Sequence, residues 1–413
     1  MVQQLRRLAI FLAMLMSGGS LIFPRVPLLI AILGLCFLIK GPTFGVRREL
    51  GFVAVVLIGV FIVAVAGADG FNAMAVVTRF ANFIAGIALL SLYLDQPSDT
   101  LARDVQPIFR WMGLQIIGTV LLAALVPQVF TTISIEDANY QTFLYIFTYH
   151  NLLETTSLLV RPDGFFFEPG VFQIYMNIYL FIALFMFRSR YDIPLALIGL
   201  ALLQSTTGIL ITCLLLAAAY ARRFGEAQHA EKFLVMLAAP FLAIPLIFFA
   251  AQNVNDKFNG EMRGSSWARE YDLRTGLNII AAHPLVGVGF DNERYKREAA
   301  RLGYDQGELD FRSTVDRSSS NGLVSLVASI GIPMSIPFLI ALFRQRFFGQ
   351  RLLFGGILVL SFLSEAIMLT PFFLMLMFSA MLAVKRRAPN RAAQGGRQQG
   401  DRNAVAAAGR MPG

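Results

Sequence analysis

The chain has 413 residues, 56% of them hydrophobic and only 15% charged, with a mean hydropathy of +0.63. Soluble domains carry more charge than this, so the composition excludes a soluble enzyme and points to a polytopic membrane protein. The net charge of +9 does not argue for nucleic acid, because most of the excess basic residues fall in short connections between apolar runs, where they act as topology signals. Cys36 and Cys213 both fall inside apolar runs, which leaves no disulfide framework and no CxxC metal site.

The first apolar run, Leu8 to Phe23, follows Arg6 and Arg7 in the manner of a signal peptide. Ser17-Gly18-Gly19-Ser20 offers no Ala-x-Ala site and a second run follows at once, so it is read as a retained first helix. Runs continue at about 26–39, 50–67, 71–94, 109–130, 169–187, 192–205, 207–221, 233–251, 321–343, 352–369 and 371–384. This predicts an all-α fold of about twelve transmembrane helices. Several runs fall short of the ~20 residues of a straight span, which implies short, broken or re-entrant helices.

Arginine and lysine placement orients the chain. With a cytoplasmic N-terminus, the inside connections carry Arg6 and Arg7, then Lys40, Arg47 and Arg48, then Arg103 and Arg110, then Arg188 and Arg190, then Arg222, Arg223 and Lys232, then Arg344, Arg346 and Arg351, and finally Lys385 to Arg387. The alternate short loops hold almost none, Arg25 excepted. Both termini are therefore expected in the cytoplasm, and two long connections, about 131–168 and 252–320, outside. Residues 1–384 read as one transmembrane domain and 385–413 as a disordered basic cytoplasmic tail.

The second long connection holds Lys257, Arg263, Arg269, Arg274, Arg294, Lys296, Arg297, Arg301, Arg312 and Arg317. Such a cationic loop is suited to holding an anion, a phosphate or an acidic sugar. Within it, Glu270 to Ala282 has helical spacing with Leu273, Leu277, Ile280 and Ala281 on one side, which suits a helix lying along the membrane surface. Asp291 to Arg301 is a second, charged helix, and His283 to Phe290 must turn sharply between them.

The first long connection ends in Arg161-Pro-Asp-Gly-Phe-Phe-Phe-Glu168-Pro-Gly-Val-Phe-Gln173, where an arginine and a carboxylate sit against the mouth of an apolar run. Pro162, Gly164, Pro169 and Gly170 preclude a continuous helix. The expectation is a turn, with Phe165 to Phe167 wedged into the bilayer interface and a helix entering the membrane near Gly170. Arg79 and Glu365 fall inside runs, where unpaired charge is expensive, so they either pair with one another or line a wet cavity.

Four stretches, in order, resemble the O-antigen polymerase and ligase superfamily of bacterial envelope glycosyltransferases: Arg161 to Tyr175, Gln204-Ser-Thr-Thr-Gly208, Arg269 with His283-Pro-Leu-Val-Gly-Val-Gly289, and Ser320-Asn321-Gly322 with Gly331-Ile332-Pro333. The resemblance implies a GT-C-like architecture in the bacterial inner membrane, with the active site on the periplasmic face. It implies transfer of a glycan from undecaprenyl diphosphate to another lipid-linked repeat in polymerases, or to a lipid A core in ligases. Membrane lipid and a lipid-linked oligosaccharide are then its partners, with a chain-length regulator and a flippase as further candidates. Ligases usually carry histidine where this chain has Ser320, which favours a polymerase of O-antigen, exopolysaccharide or capsule.

Such a transfer needs cations for the leaving diphosphate and a base for the attacking hydroxyl; it requires neither a metal nor another cofactor. Arg161 and Arg269 are the candidate cations, because guanidinium binds phosphate oxygens in bidentate fashion and stays charged. Glu168 is the candidate base, its pKa raised by desolvation among the phenylalanines, or else the cap of the helix that follows. Arg263, Arg274, Arg312 and Arg317 are candidates for steering substrate, His283 for a second base or a structural turn, and Asn321 for a sugar ligand or an N-cap. A rival of another class is a transporter or flippase, with Arg79 and Glu365 on its pathway. No repeated halves are visible to support it.

Overall fold

The computed structural model describes residues 1–18, 23–41, 48–66, 73–135, 138–150, 160–166, 168–226, 263–303 and 319–382. Its helices are α1 (Val2–Gly18), α2 (Arg25–Lys40), α3 (Gly51–Ala66), α4 (Ala73–Ser91), α5 (Thr100–Leu125), α6 (Pro169–Phe181), α7 (Asp192–Leu203), α8 (Thr206–Glu226), α9 (Arg263–Ala282), α10 (Asn292–Leu302), α11 (Gly322–Arg344), α12 (Arg351–Ser364) and α13 (Pro371–Ala380). Each predicted apolar run coincides with a helix, apart from 233–251, which lies outside the described residues together with Arg312, Arg317 and the tail. The helix predicted at 109–130 begins earlier, at Thr100, and carries Arg103 and Arg110 on its first turns. Among the described residues six helices are long and apolar enough to cross a membrane: Arg48–Ala66, Ala73–Ser91, Thr100–Leu125, Pro169–Met186, Thr206–Glu226 and Gly322–Arg344. The protein is a mainly helical integral membrane protein.

The all-α expectation needs one correction. The connection after α5 folds into a four-stranded antiparallel meander, β1 (Thr131–Ile135), β2 (Ala138–Phe143), β3 (Phe147–His150) and β4 (Arg161–Pro162). Thr, Tyr and Phe recur through these strands, residue types that fit a pleated, half-buried surface. Thr142 and Thr148 join their hydroxyls at 2.8 Å inside it, and β3 packs on α5.

Lipid-facing and protein-facing helices are distinguished by their sides. In α3 nearly every residue is apolar, yet Phe52, Val55, Ile58 and Ile62 are exposed, which suits contact with acyl chains. The helix α6 is the opposite: every residue from Pro169 to Phe181 is buried, flanked by α5, α7, α8 and α12. A π-helical turn, Ile182–Met186, continues it.

Basic residues expected inside gather at one end of the bundle and are tied to carboxylates there. Asp104 takes Arg6 at 2.5 Å and Tyr93 at 3.2 Å. Asp192 takes Arg110 at 2.9 Å, Gln106 at 2.6 Å and Tyr179 at 2.6 Å. The sheet, α9 and α10 belong to the opposite end, where α1, α3, α5 and α12 finish and α2, α4, α6, α11 and α13 begin.

Candidate active site

Arg161 is positioned by the sheet, since β4 pairs His150 with Arg161 and Tyr149 with Pro162. Asp163, fully buried, accepts from His150 Nδ1 at 2.7 Å and so pins the turn to β3. Burial pushes its carboxyl up to about 6, against the opposing pull of His150 and Arg161. The Arg161 Nε donates to the carbonyl of Leu203 at 3.1 Å. That carbonyl closes α7, where Gln204 adopts φ +50 and α8 restarts at Thr206, so the Ser/Thr-rich break lies beside the arginine. Desolvation lowers the Arg161 pKa, while the charges of Asp163, Glu168 and Glu365 raise it and that of Arg269 lowers it further.

The phenylalanines of the turn differ from expectation. Phe165 and Phe166 are buried inside the protein, not at a bilayer interface: Phe165 stacks on Trp111 at 4.8 Å and Phe166 on Tyr175 at 5.3 Å. Phe167 lies outside the described residues. Glu168 is exposed, so it is not desolvated among them, and its side chain makes no cap hydrogen bond to α6. Its backbone carbonyl instead accepts from Val171 at 3.2 Å. The carboxylate is left facing outward at the start of the buried helix.

Gly170 stands where these groups meet. A Cβ added there would lie 2.2 Å from Glu365 Oε1 and 3.7 Å from Glu168 Oε2. Glu365 in turn lies 3.8 Å from the Arg269 guanidinium on α9. Of the two alternatives for Arg79 and Glu365, they therefore do not pair with one another, and Arg79 lines a cavity. Glu365 sits at the extended residue after α12, in the 365–370 connection, whereas Arg79 lies on α4 over the ring of Phe290 at 5.5 Å. The apolar run 352–369 hid this break because Ala366 to Leu369 are themselves apolar.

The structure thus brings Arg161, Glu168 and Arg269 together and adds Glu365. Asp272, one turn along α9 from Arg269, accepts from Ser320 N at 2.9 Å and Ser320 Oγ at 2.5 Å, fastening the start of α11 to α9. Asn321 caps α11, its Oδ1 accepting from Val324 N at 3.1 Å. Asp272 carried no sequence signal beyond its helical spacing from Arg269.

Other candidates lie elsewhere. Arg274 is exposed and paired with Glu270 at 2.7 Å. His283 faces Glu298 at 3.3 Å, and Glu298 also takes Arg301 at 2.7 Å, so the histidine ties the α9–α10 turn together. Arg263 opens α9, its side chain outside the described residues. The turn itself is docked on a break in α11: Val288 N and Gly289 N donate to the carbonyls of Ala328 and Ser329 at 2.8 and 2.9 Å, and Ile332 N to Pro284 O at 2.8 Å. The helix α9 buries Ala268, Asp272, Thr275, Gly276 and Ile279 and leaves Leu273 and Leu277 outward.

A helical membrane protein with a cationic site walled by a small sheet and two peripheral helices is the class these observations define. Residues 193–339 match the sequence model of a family described as O-antigen ligase. That stretch, somewhat over a third of the chain, is similar to the O-antigen polymerase and ligase superfamily, the one that its motifs resemble. Members are glycosyltransferase-like enzymes acting on lipid-linked glycans. No curated protein and no solved structure matches the chain. Arg269, Asp272, Ser320 and Asn321 fall within the matched stretch; Arg161, Glu168 and Glu365 flank it.

Proposed function

We propose that the protein polymerises undecaprenyl-diphosphate-linked oligosaccharide repeats on the periplasmic face of the inner membrane. The observation that carries this reading is the meeting of two guanidinium groups, Arg161 and Arg269, with two carboxylates, Glu168 and Glu365, around a glycine at the mouth of a buried helix. The arginines hold the diphosphate and stabilise its charge as the bond from the anomeric carbon to its oxygen breaks. A hydroxyl oxygen of the acceptor sugar forms the new bond to that carbon. Its proton passes to Glu168, whose exposed carboxylate is open to an incoming sugar. Glu365 holds Arg269 in place from behind.

The reading needs no metal, and the lipid diphosphate leaves with the electrons of the broken bond. The residues Leu273 and Leu277, outward on α9, suit a helix resting on the outer membrane surface above the site. Both termini are then cytoplasmic, a reading supported by the arginines at the Asp104 and Asp192 end.

A ligase is the second reading, favoured by the description of the family matched. Against it stands Ser320, where ligases usually carry histidine; its hydroxyl is committed to Asp272.

In a strain carrying Glu168→Gln or Arg269→Ala, with protein abundance checked by blot, long envelope chains are expected to give way to single lipid-linked repeats at the outer face. Unchanged long chains contradict the assignment, and repeats trapped on the cytoplasmic side indicate a transporter.

A further inference from the structure

A cavity of about 700 Å³ is lined by Val171, Gly322 and Ala366, residues that adjoin Gly170 and Glu365 of the candidate site. Two cations enter it, Arg25 from the start of α2 and Arg79 from α4. Their charges act on one another, and among the described residues neither has an ion pair with a carboxylate. Asp291 also lines the cavity; one of its oxygens caps α10 by accepting from Glu293 N at 3.1 Å, and its charge offsets part of theirs without an ion pair to either. The Phe290 ring, 5.5 Å from the Arg79 guanidinium, holds that group in place without neutralising it.

A polar atom in the same cavity has no protein partner: the Oδ1 of Asn82, one turn along α4 from Arg79, is buried without a hydrogen bond. Arg79, inside a membrane-spanning helix with the exposed Arg25 acting on it and a polar group without a partner one turn away, is costly unless an anion joins it. Outside the mouth, Val26 and Ile30 on α2 and Met74 and Val77 on α4 are exposed and apolar, and α2 packs against α4. A chain of hydrocarbon can lie along this face while its head group enters the cavity.

We infer that this cavity is a second anion site, taking the phosphate or diphosphate head of a lipid, and that it seats the second lipid-linked substrate of the transfer. The inference rests on the proposed function, in which donor and acceptor both carry a lipid diphosphate. Arg161 and Arg269 then hold the diphosphate that leaves, and Arg25 and Arg79 the one that stays. The two sites adjoin, which brings two lipid-linked glycans to one reacting centre.

The test is native mass spectrometry of the full chain in detergent, titrated with farnesyl diphosphate and, separately, with inorganic pyrophosphate. The wild type is expected to hold two molecules of farnesyl diphosphate. Arg25→Gln/Arg79→Gln is expected to retain one, with the second weakened about tenfold or more, and Arg161→Gln/Arg269→Gln to lose the other. Arg25→Lys/Arg79→Lys should recover the second molecule, because charge is kept; binding no better than in the glutamine variant would assign the loss to packing and overturn the proposal. Two molecules still bound by Arg25→Gln/Arg79→Gln would also overturn it while leaving the Arg161 and Arg269 site standing. Pyrophosphate bound there as tightly as farnesyl diphosphate would overturn the lipid assignment. Indifference to Arg161→Gln/Arg269→Gln alone would count against the proposed active site and not against this cavity.

Discussion

At Gly170 a side chain has nowhere to go. A methyl group there meets Glu365 Oε1 at 2.2 Å, so Gly170→Ala must push Glu365 aside and with it the partner of Arg269. The helix itself tolerates alanine, since Gly170 is the second residue of α6 and its φ is not positive. The expected outcome is normal abundance with polymer yield reduced on the order of tenfold, the scale of one misplaced charge contact. Yield equal to wild type would mean that Glu365 has no part in positioning Arg269. Arg161 and Glu168 were legible in the sequence because arginine and glutamate at the edge of an apolar run are conspicuous, and Arg269 because it belongs to a motif of the family the chain resembles. Glu365 was read as a mid-span charge because its neighbours 366–369 are apolar, and only the extended backbone at 365 reveals the break. Glu168 was expected in an apolar setting since three phenylalanines precede it; Phe165 and Phe166 turn inward onto Trp111 and Tyr175 and leave the carboxylate outside.

Among the elements, the seam between the α9–α10 turn and α11 is where backbone lies on backbone. Gly287 has φ +66 and Gly331 φ +73, and an added Cβ would lie 2.4 Å from Ala328 O at the first and 2.2 Å from Leu285 O at the second. Gly331→Ala combines a left-handed backbone with a collision that no side-chain rotation relieves, a cost of about 1–3 kcal/mol or more. It is expected to lower both folded yield and melting temperature in detergent, while Gly349→Ala, with open space around it, leaves both unchanged. Equal melting temperatures for the two variants would show that the seam is not rigid. The glycines were visible in the motif; their mutual docking was not, since some forty residues separate the two partners along the chain. The sheet was likewise hidden, because its short strands fall in a connection where apolar periodicity is weak, and β4 comprises only Arg161 and Pro162. On α9 the leucines Leu273 and Leu277 look outward, as expected of a membrane-surface helix, while Ala268, Asp272, Thr275, Gly276 and Ile279 pack on the protein.

For the whole molecule, hydropathy told most of where the helices lie, because lipid penalises unpaired backbone. The structure adds that Arg6 and Arg110 also serve as ties, to Asp104 and Asp192. Single cysteines placed at Glu270 and Leu285, in a background with Cys36 and Cys213 replaced, are expected to react with an impermeant thiol reagent on intact spheroplasts. Cysteines at Arg103 and Arg222 should react only after the membrane is opened. The reverse pattern would place the cationic site in the cytoplasm, where a lipid-linked repeat awaiting polymerisation is not found. The central claim is tested most directly by incubating the purified protein with single lipid-diphosphate-linked repeats and no other acceptor, and resolving the products by length. The account predicts a ladder of longer chains on lipid with release of free lipid diphosphate, abolished by Arg269→Ala. Products that never exceed one repeat, with transfer appearing only when a lipid A core is supplied, would contradict the polymerase and establish the ligase.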